Sequence, residues 1–449
     1  MPSSSYDFFA PLGEFGQIRP HYHKMRRLHL LLEAHGSDVA STATHPLQGN
    51  ANGIRAAVRA ADYGKPGFIF VNNYERLVES MPTFNDTRFR LEWTEKNISM
   101  TIPSLHLPSF NVPRGSWWVW PYHLPIGKGR LQWATAQLLT KATRENRSAW
   151  IFSAIKGIPP TMEFMLGEGA YLLHCKCNAN TTKGITTMSD IQVGTDPVAS
   201  ILLPSGVAVD IVVLSPEDAD SVWNARNVAA LARGADFFAI SSNGSFQIQP
   251  KSNVTSVEVF TWPGTLSAAP AHLTIPVRSD SLSISPPTVT KIRAARLPTR
   301  TIPIAPTKKA QEPTMQEWID YAAAFNVTLH LPADVSNIMV QLSVDYTGDA
   351  ARLLYGDRLL TDNWYSGYEP LVGGFEVGLS YLADENDPGL LQDGTNLTLL
   401  VLPLNRSALE DNVFLQSKYW PAFSNNGTAI EVRSIVTTAT KMIYFDHMF

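Results

Sequence analysis

Apolar and polar residues alternate over short stretches along most of this chain, and Gly, Pro, Asn or Asp interrupts the alternation every few positions. From Gly67 to about Pro263 the pattern recurs in GFIFVNNY (67–74), IPSLHLPSFNVP (102–113) and VASILLPSGVAVDIVVLSPEDADSVW (198–223). A period of two, bounded by turn residues, is what a strand half-buried in a sheet requires. Near the C-terminus, Ile338 to Val344 predicts a strand and Thr347, Gly348 and Asp349 a turn. Arg352 to Tyr355 predicts a second strand, and Gly356, Asp357 and Arg358 turn the chain into Leu359 and Leu360. One helical period stands apart, from Pro20 to Ala34, with Tyr22, Met25, Leu28, Leu31 and Leu32 on one face and Gly36 beyond its end. Ser215 as N-cap, Pro216 at the first position and the acids that follow predict a short helix start. The expected fold is mainly β, with two or more β-sandwich modules after a short helical segment.

Composition divides this pattern into regions. Residues 1–40 carry the helix and 41–265 the first run of strands. Residues 266–313 are rich in Pro, Ser, Thr and Ala, with Pro286, Pro287, Pro298, Pro303, Pro306 and Pro313, and predict a linker. Its basic residues, Lys291, Arg293, Arg296, Arg300, Lys308 and Lys309, are dispersed as on a solvated connector. Residues 314–449 form the C-terminal module, and no internal repeat of fixed period appears. In 449 residues, 31 prolines and 28 glycines favour many turns over long helices. A net charge of -4 without a basic, aromatic-studded run argues against a nucleic-acid partner. Apolar stretches such as Gly206 to Leu214 fall short of the roughly 18 residues a membrane helix needs.

Two features bear on compartment. Asn85, Asn97, Asn146, Asn180, Asn243, Asn253, Asn326, Asn396, Asn405 and Asn426 each begin an N-x-S/T acceptor, which suggests relatives that traverse the secretory pathway. The opening MPSSSYDFF has neither a basic n-region nor an apolar h-region. Cys175 and Cys177 in HCKC share a strand face beside His174, but no second ligand cluster completes a tetrahedral metal site, so two half-buried thiols are expected and no metal.

Candidate chemistry gathers in DYTGDAARLLYGDRLLTDNWYSG, Asp345 to Gly367. Asp345, Asp349, Asp362, Trp364, Tyr365 and Tyr368 fall at strand ends. There they either form a sugar platform, with aromatic faces under a pyranose ring and carboxylates taking hydroxyl hydrogens, or satisfy loop backbone groups. Trp117, Trp118 and Trp120 offer aromatic faces too, but neighbours on a strand point to opposite sides, so at least one face is core or interface. Glu163 and Glu168 in MEFMLGEG are the only tempting carboxylate pair, and a strand-end or surface role is expected for them.

The Asp345–Gly367 run resembles the C-terminal jelly-roll module of family 35 glycoside hydrolases, the β-galactosidases. In that family a strand ending Asp-Tyr, a Gly-Asp turn and an Asp-Asn-aromatic-Tyr-x-Gly turn recur; here they are Asp345 and Tyr346, Gly348 and Asp349, and Asp362 to Gly367. LLVLPL (399–404), GFIFVNNY (67–74), GSWWVWPYHLPI (115–126) and LQWATAQLLTK (131–141) are similar to further family segments, so the resemblance covers essentially the whole chain. Tyr6, Asp7, Ala10, Pro11, Leu12 and Glu14 match the segment closing the family's catalytic (β/α)8 barrel. Phe8 stands where the family has a tyrosine that touches galactose.

The resemblance implies that residues 1–40 are the remnant of that barrel, which needs about 250 residues, whereas fewer than 70 precede the first post-barrel strand at Gly67. Retaining hydrolysis needs two carboxylates about 5 Å apart, and the Asn-Glu pair that holds the family's acid/base is missing from this sequence. No catalytic residue and no cofactor is therefore expected. The implied function is that of the accessory β-domains of a β-galactosidase-like enzyme of carbohydrate metabolism, with a β-galactoside as ligand and the catalytic barrel as missing partner. The parent would be secreted, extracellular or vacuolar–lysosomal. The other reading is a stand-alone lectin-like carbohydrate-binding or interaction protein.

Overall fold

The computed structural model describes residues 10–47, 53–75, 78, 81–225, 227–241, 245–251, 254–264, 270–277, 284–297, 313–365, 367, 374–383, 388–410 and 417–445. The chain is mainly β, with 52% of the described residues in strands against 13% in helices. It divides into two compact bodies: Pro20–Ile248 with Ser256–Val277 and Phe445–Phe449, and Met1–Arg19 with Gln249–Thr255 and Arg278–Tyr444.

In the first body an eight-stranded sheet centres on Trp117–Ile126, which pairs antiparallel with Gly67–Asn72 on one side and Gly129–Ala134 on the other. A five-stranded sheet centres on Ala208–Leu214, and there Arg147–Ser153 runs parallel to it in register from Arg147↔Ala208 to Ser153↔Leu214. One core joins these sheets, with Val119, Leu124, Leu131 and Phe164 from the first meeting Leu138, Phe152, Ile211 and Val213 from the second. The outer face of the eight-stranded sheet packs Trp118, Trp120 and Tyr122 on Phe89, Leu91, Ile102 and Phe110. Both faces of its central strand are thus buried, which is why that strand reads as a nearly continuous apolar run. The tryptophan question resolves at the same place: Trp118 and Trp120 share the core face, while Trp117 is exposed. On its other side the five-stranded sheet packs Leu139, Ile151 and Val212 against Leu231, Phe260 and Trp262 of a four-stranded sheet.

The helix departs from its sequence reading. It runs Pro20–Ala40, continuing past Gly36 across a kink at His35, and it buries Arg26, Leu30, Leu31 and His35. Met25, Leu28 and Leu32 of the expected apolar face are exposed. Arg26 turns the helix. Its Nε donates to the Val222 carbonyl at 2.9 Å, an Nη donates to the Asp220 carbonyl, and the guanidinium stacks 3.4 Å from the centre of the Trp223 ring. Arg27 adds bonds to Asp220 Oδ1 at 3.3 Å and Ser153 Oγ at 3.0 Å. Two arginines that the apolar pattern assigns to solvent are therefore the anchors.

In the second body a five-stranded sheet, in the order 288–293, 323–328, 396–401, 350–355, 358–364, shares a core with a three-stranded sheet of Phe375–Gly378, Ile338–Thr347 and Glu431–Lys441. Leu353, Leu397, Leu399 and Val401 from one sheet meet Val340, Leu342, Val344 and Tyr346 from the other. Thr288–Arg293 lies inside the stretch expected to be linker, yet it pairs with Ala323–Thr328, because TVTKIR is rich in β-branched residues, which favour a strand. Helix Met315–Tyr321 starts at a capping box of Thr314 and Glu317 and buries Trp318. Phe15 is buried in this body's core, and Gln17 Nε2 donates to the Glu376 carbonyl at 3.4 Å.

Candidate functional site

The strand turn that heads the second body brings several of the expected platform residues together. A Cβ at Gly348 would meet the Leu402 carbonyl oxygen at 2.7 Å, so only glycine lets the chain pass there. Past it, the Asp349 amide donates to the Leu402 carbonyl at 2.8 Å, and the Asp349 carbonyl accepts from the Tyr365 amide at 3.1 Å. This pair of bonds sets Asp349 beside Tyr365. Tyr346 lies beneath, fully buried, its hydroxyl donating to the carbonyl and Oδ1 of Asn363 at 3.0 and 2.9 Å. Tyr365 meets its ring edge-on at 6.1 Å. Burial pushes the Asp349 carboxyl up to about 6, and burial with the charges of Asp349, Tyr365 and Asp362 raises Tyr346 well above the usual phenol range. A carboxylate beside an aromatic ring can accept from a sugar hydroxyl.

The other expected residues stand differently. Asp345 is engaged by Arg433, whose Nε donates to Oδ2 at 2.9 Å while an Nη reaches Oδ1; the same guanidinium also bonds Thr347 Oγ1 and the Tyr346 carbonyl. Asp362 sits opposite Arg352, and Trp364, half-buried, opposite Ala350. Tyr368 and the segment Tyr6, Asp7 and Phe8 lie outside the described residues, as do Asn243 and Asn253.

Of the remaining acceptor asparagines, Asn85, Asn97, Asn146, Asn180, Asn396 and Asn426 are exposed, and Asn326 and Asn405 half-buried. Two acceptors face each other across adjacent strands, Asn326 opposite Thr398 and Thr328 opposite Asn396. Cys175 and Cys177 are joined in a disulfide rather than held as thiols, so their sulfurs are not free to ligate a metal.

Glu163 is 4% exposed on strand Met162–Met165. Its carboxylate accepts from Ser104 Oγ and Trp133 Nε1, both at 2.9 Å, and from Thr187 Oγ1 at 3.4 Å, with His106 Nε2 at 3.6 Å. Those donors occupy its lone pairs, while Glu168 is exposed in the following turn. The arrangement ties a sheet to its covering loop.

The first body also carries a cleft of about 680 Å³ that sequence reasoning missed. Ala56, Val58 and Ala60 line one side, and Phe89, Leu91 and Trp93 the other. An Arg90–Glu92 ion pair of 2.8 Å stands at the cleft, and Trp93 Nε1 donates to the Ala61 carbonyl at 3.2 Å. Stacked on Trp93 at 5.7 Å is His123, which Tyr63 and Tyr122 also contact edge-on. Burial, with the nearby Arg130 charge, pushes this imidazole down to about 4, so it is neutral through the physiological range. A histidine inside the apolar run WWVWPYHLPI was the available signal.

Neither the known protein-family models nor the curated proteins match this chain.

Proposed function

We propose that this chain is the accessory β-domain portion of a β-galactosidase-like glycoside hydrolase of family 35, without hydrolytic activity of its own. In this reading its C-terminal unit offers a shallow carbohydrate platform. The observation that carries it is the assembly of Asp349, Tyr346 and Tyr365 at one strand turn, within the sequence run that resembles the family's jelly-roll module. A half-buried carboxyl whose pKa is raised by desolvation, beside aromatic rings, suits a neutral polyhydroxy ligand better than an anionic one. Glu163, the one buried glutamate of the tempting pair, already serves Ser104, Trp133 and Thr187, which supports a chain that contributes no catalytic carboxylates. The exposed acceptor asparagines support a glycoprotein of the secretory route.

The experiment pairs an aryl β-galactoside assay with calorimetric titration of galactose and lactose. The expected result is no turnover, and weak binding that disappears in Tyr365→Ala. Turnover that survives stringent purification and is lost in Glu163→Gln would overturn the non-catalytic reading. Absence of binding in the wild type would overturn the platform. The cluster by itself equally suits a stand-alone lectin-like protein. Finding an in-frame barrel with an Asn-Glu pair upstream in the transcript would select the accessory-domain reading.

A further inference from the structure

We propose that the cleft of the first body seats the N-linked glycan of Asn97, with the first sugar, an N-acetylglucosamine, lying against the Trp93 ring. Asn97 begins an N-x-S acceptor that ends at Ser99, on a hairpin where Phe89–Trp93 pairs antiparallel with Ile98–Ile102. The pair Trp93↔Ile98 closes the loop, and Thr94, Glu95 and Lys96, the residues between Trp93 and Asn97, all line the cleft. Asn97 ends that loop in the left-handed region, with φ of 50°, its amide donating to the Thr94 carbonyl at 3.1 Å. It is exposed, so the attachment point stands at the mouth of the cleft. Glycosylation here rests on the secretory route proposed for the chain.

The cleft suits an amphipathic, uncharged occupant. Its volume of about 680 Å³ falls within the range of about 300–1,000 Å³ typical of small-molecule sites. The outer face of the eight-stranded sheet carries Trp118, Trp120 and Tyr122 on its central strand but only Ala56, Val58 and Ala60 on Arg55–Ala60, so space opens beneath the hairpin toward the sheet edge. Trp93 is held from behind: it stacks on His123 at 5.7 Å, meets Tyr63 edge-on at 5.2 Å and donates from Nε1 to the Ala61 carbonyl at 3.2 Å. With one face against His123, the indole turns its other face to the cleft that it lines. An N-acetylhexosamine presents C–H groups and an acetyl methyl to such a wall, and its hydroxyls to polar neighbours. Arg90, Glu92, Glu95 and Lys96 stand along the cleft, offering donors and acceptors in balanced charge.

In the attachment step Asn97 Nδ2 bonds to the anomeric carbon of an oligosaccharide carried on a lipid diphosphate. One amide proton is lost and the lipid diphosphate leaves. The sugar is then tethered beside the cleft, and a short tether holds a group at millimolar effective concentration. A contact too weak to capture free sugar from solution is therefore occupied. Trp93, Ala56, Val58 and Ala60 are only half-buried in the bare chain, which is the surface that the glycan would cover.

The test is expression of the intact chain behind a signal peptide in a eukaryotic host restricted to high-mannose glycans, with occupancy read by peptide mapping after endoglycosidase H, which leaves one N-acetylglucosamine on each used asparagine. Trp93 is then footprinted with hydroxyl radicals in the glycosylated chain and in Ser99→Ala, which removes the acceptor hydroxyl and leaves Asn97 in place. Asn97 is expected to be occupied, and Trp93 to be oxidised several-fold more slowly with the glycan than without it, while the exposed Trp117 is unchanged. Trimming to the single sugar should keep the protection, and its loss on trimming would overturn the placement of the first sugar on Trp93. Equal oxidation of Trp93 in the two chains, or a bare Asn97 while other acceptors are filled, would overturn the proposal and leave the secretory reading standing. Bare asparagines at every acceptor would overturn both.

Discussion

Asp210 offers the sharpest test of how the first body is held together. It is 1% exposed on the central strand of the five-stranded sheet, and all its partners are charged or polar. Arg147 donates from Nε at 3.1 Å and from Nη2 at 2.8 and 2.9 Å, and Ser200 Oγ donates to Oδ1 at 2.5 Å. Ser200 lies opposite Asp210 on the antiparallel neighbour, whereas Arg147 reaches it from the parallel one, so a single carboxylate ties three strands. Asp210→Ala removes the acceptor and leaves both donors behind. An uncompensated buried charge costs about 3–5 kcal/mol. Arg147 keeps 20% exposure and can turn toward water, which brings its share down to or below the bottom of that range, about 2–3 kcal/mol. The stranded Ser200 hydroxyl costs about 1 kcal/mol more. The expected loss is therefore about 3–4 kcal/mol, read from urea unfolding together with hydrogen exchange of Arg147–Ser153 and Ala208–Leu214. Adding Arg147→Met should recover part of it, because the orphaned charge is then gone. A loss below about 1 kcal/mol, or no recovery in the double variant, would refute the reasoning.

Other outcomes follow from single contacts. Asp349 has a folded pKa raised to about 6, so folding favours its protonated form. The unfavourable contribution is absent below the unfolded value, grows as pH rises to about 6 and stays constant above it. Asp349→Asn should therefore match the wild type near pH 4 and be more stable, by about 1–2 kcal/mol, at pH 7 in thermal melts. Gly348→Ala should lower stability by about 2 kcal/mol and abolish galactose binding together, since a backbone oxygen 2.7 Å from the new Cβ cannot step aside. Arg26→Leu should speed hydrogen exchange over Pro20–Ala34 by loosening the helix from Val222 and Trp223. Expressed behind a signal peptide in a eukaryotic host, the chain should shift in gel mobility after glycosidase treatment, with Asn97, Asn146 and Asn426 among the occupied sites.

The sheets were legible because alternation reports burial directly. Ile338–Thr347 shows a strict alternation of buried and half-buried positions up to Tyr346, and the turns at Gly348 and Gly356 fall where glycine is needed, the latter with φ of 57°. The helix was legible in place and illegible in orientation. Apolar periodicity assumes that the buried face is the greasy one, whereas Arg26 buries its guanidinium by donating to two carbonyls and lying on an indole. Such a contact depends on residues nearly two hundred positions away, and local pattern cannot register it. Thr288–Arg293 was hidden for a different reason, since the prolines on either side dominated the composition of its neighbourhood.

Site residues divide along the same line. That Asp349 and Tyr365 lie side by side was legible in the sequence because their proximity comes from one turn and a short hairpin, where spacing nearly fixes distance. Asp345 could not be separated from them until the structure placed Arg433 on the antiparallel partner strand, 88 positions later, where it takes both carboxylate oxygens. Lys141 shows the converse. Nothing in LQWATAQLLTK sets its lysine apart, and it is burial in the fold that brings the Lys141 amine down to about 8. Charge type is written in the sequence, but the free energy of that charge is set by what the fold brings against it. The residues easiest to name in advance are therefore those whose partners are local.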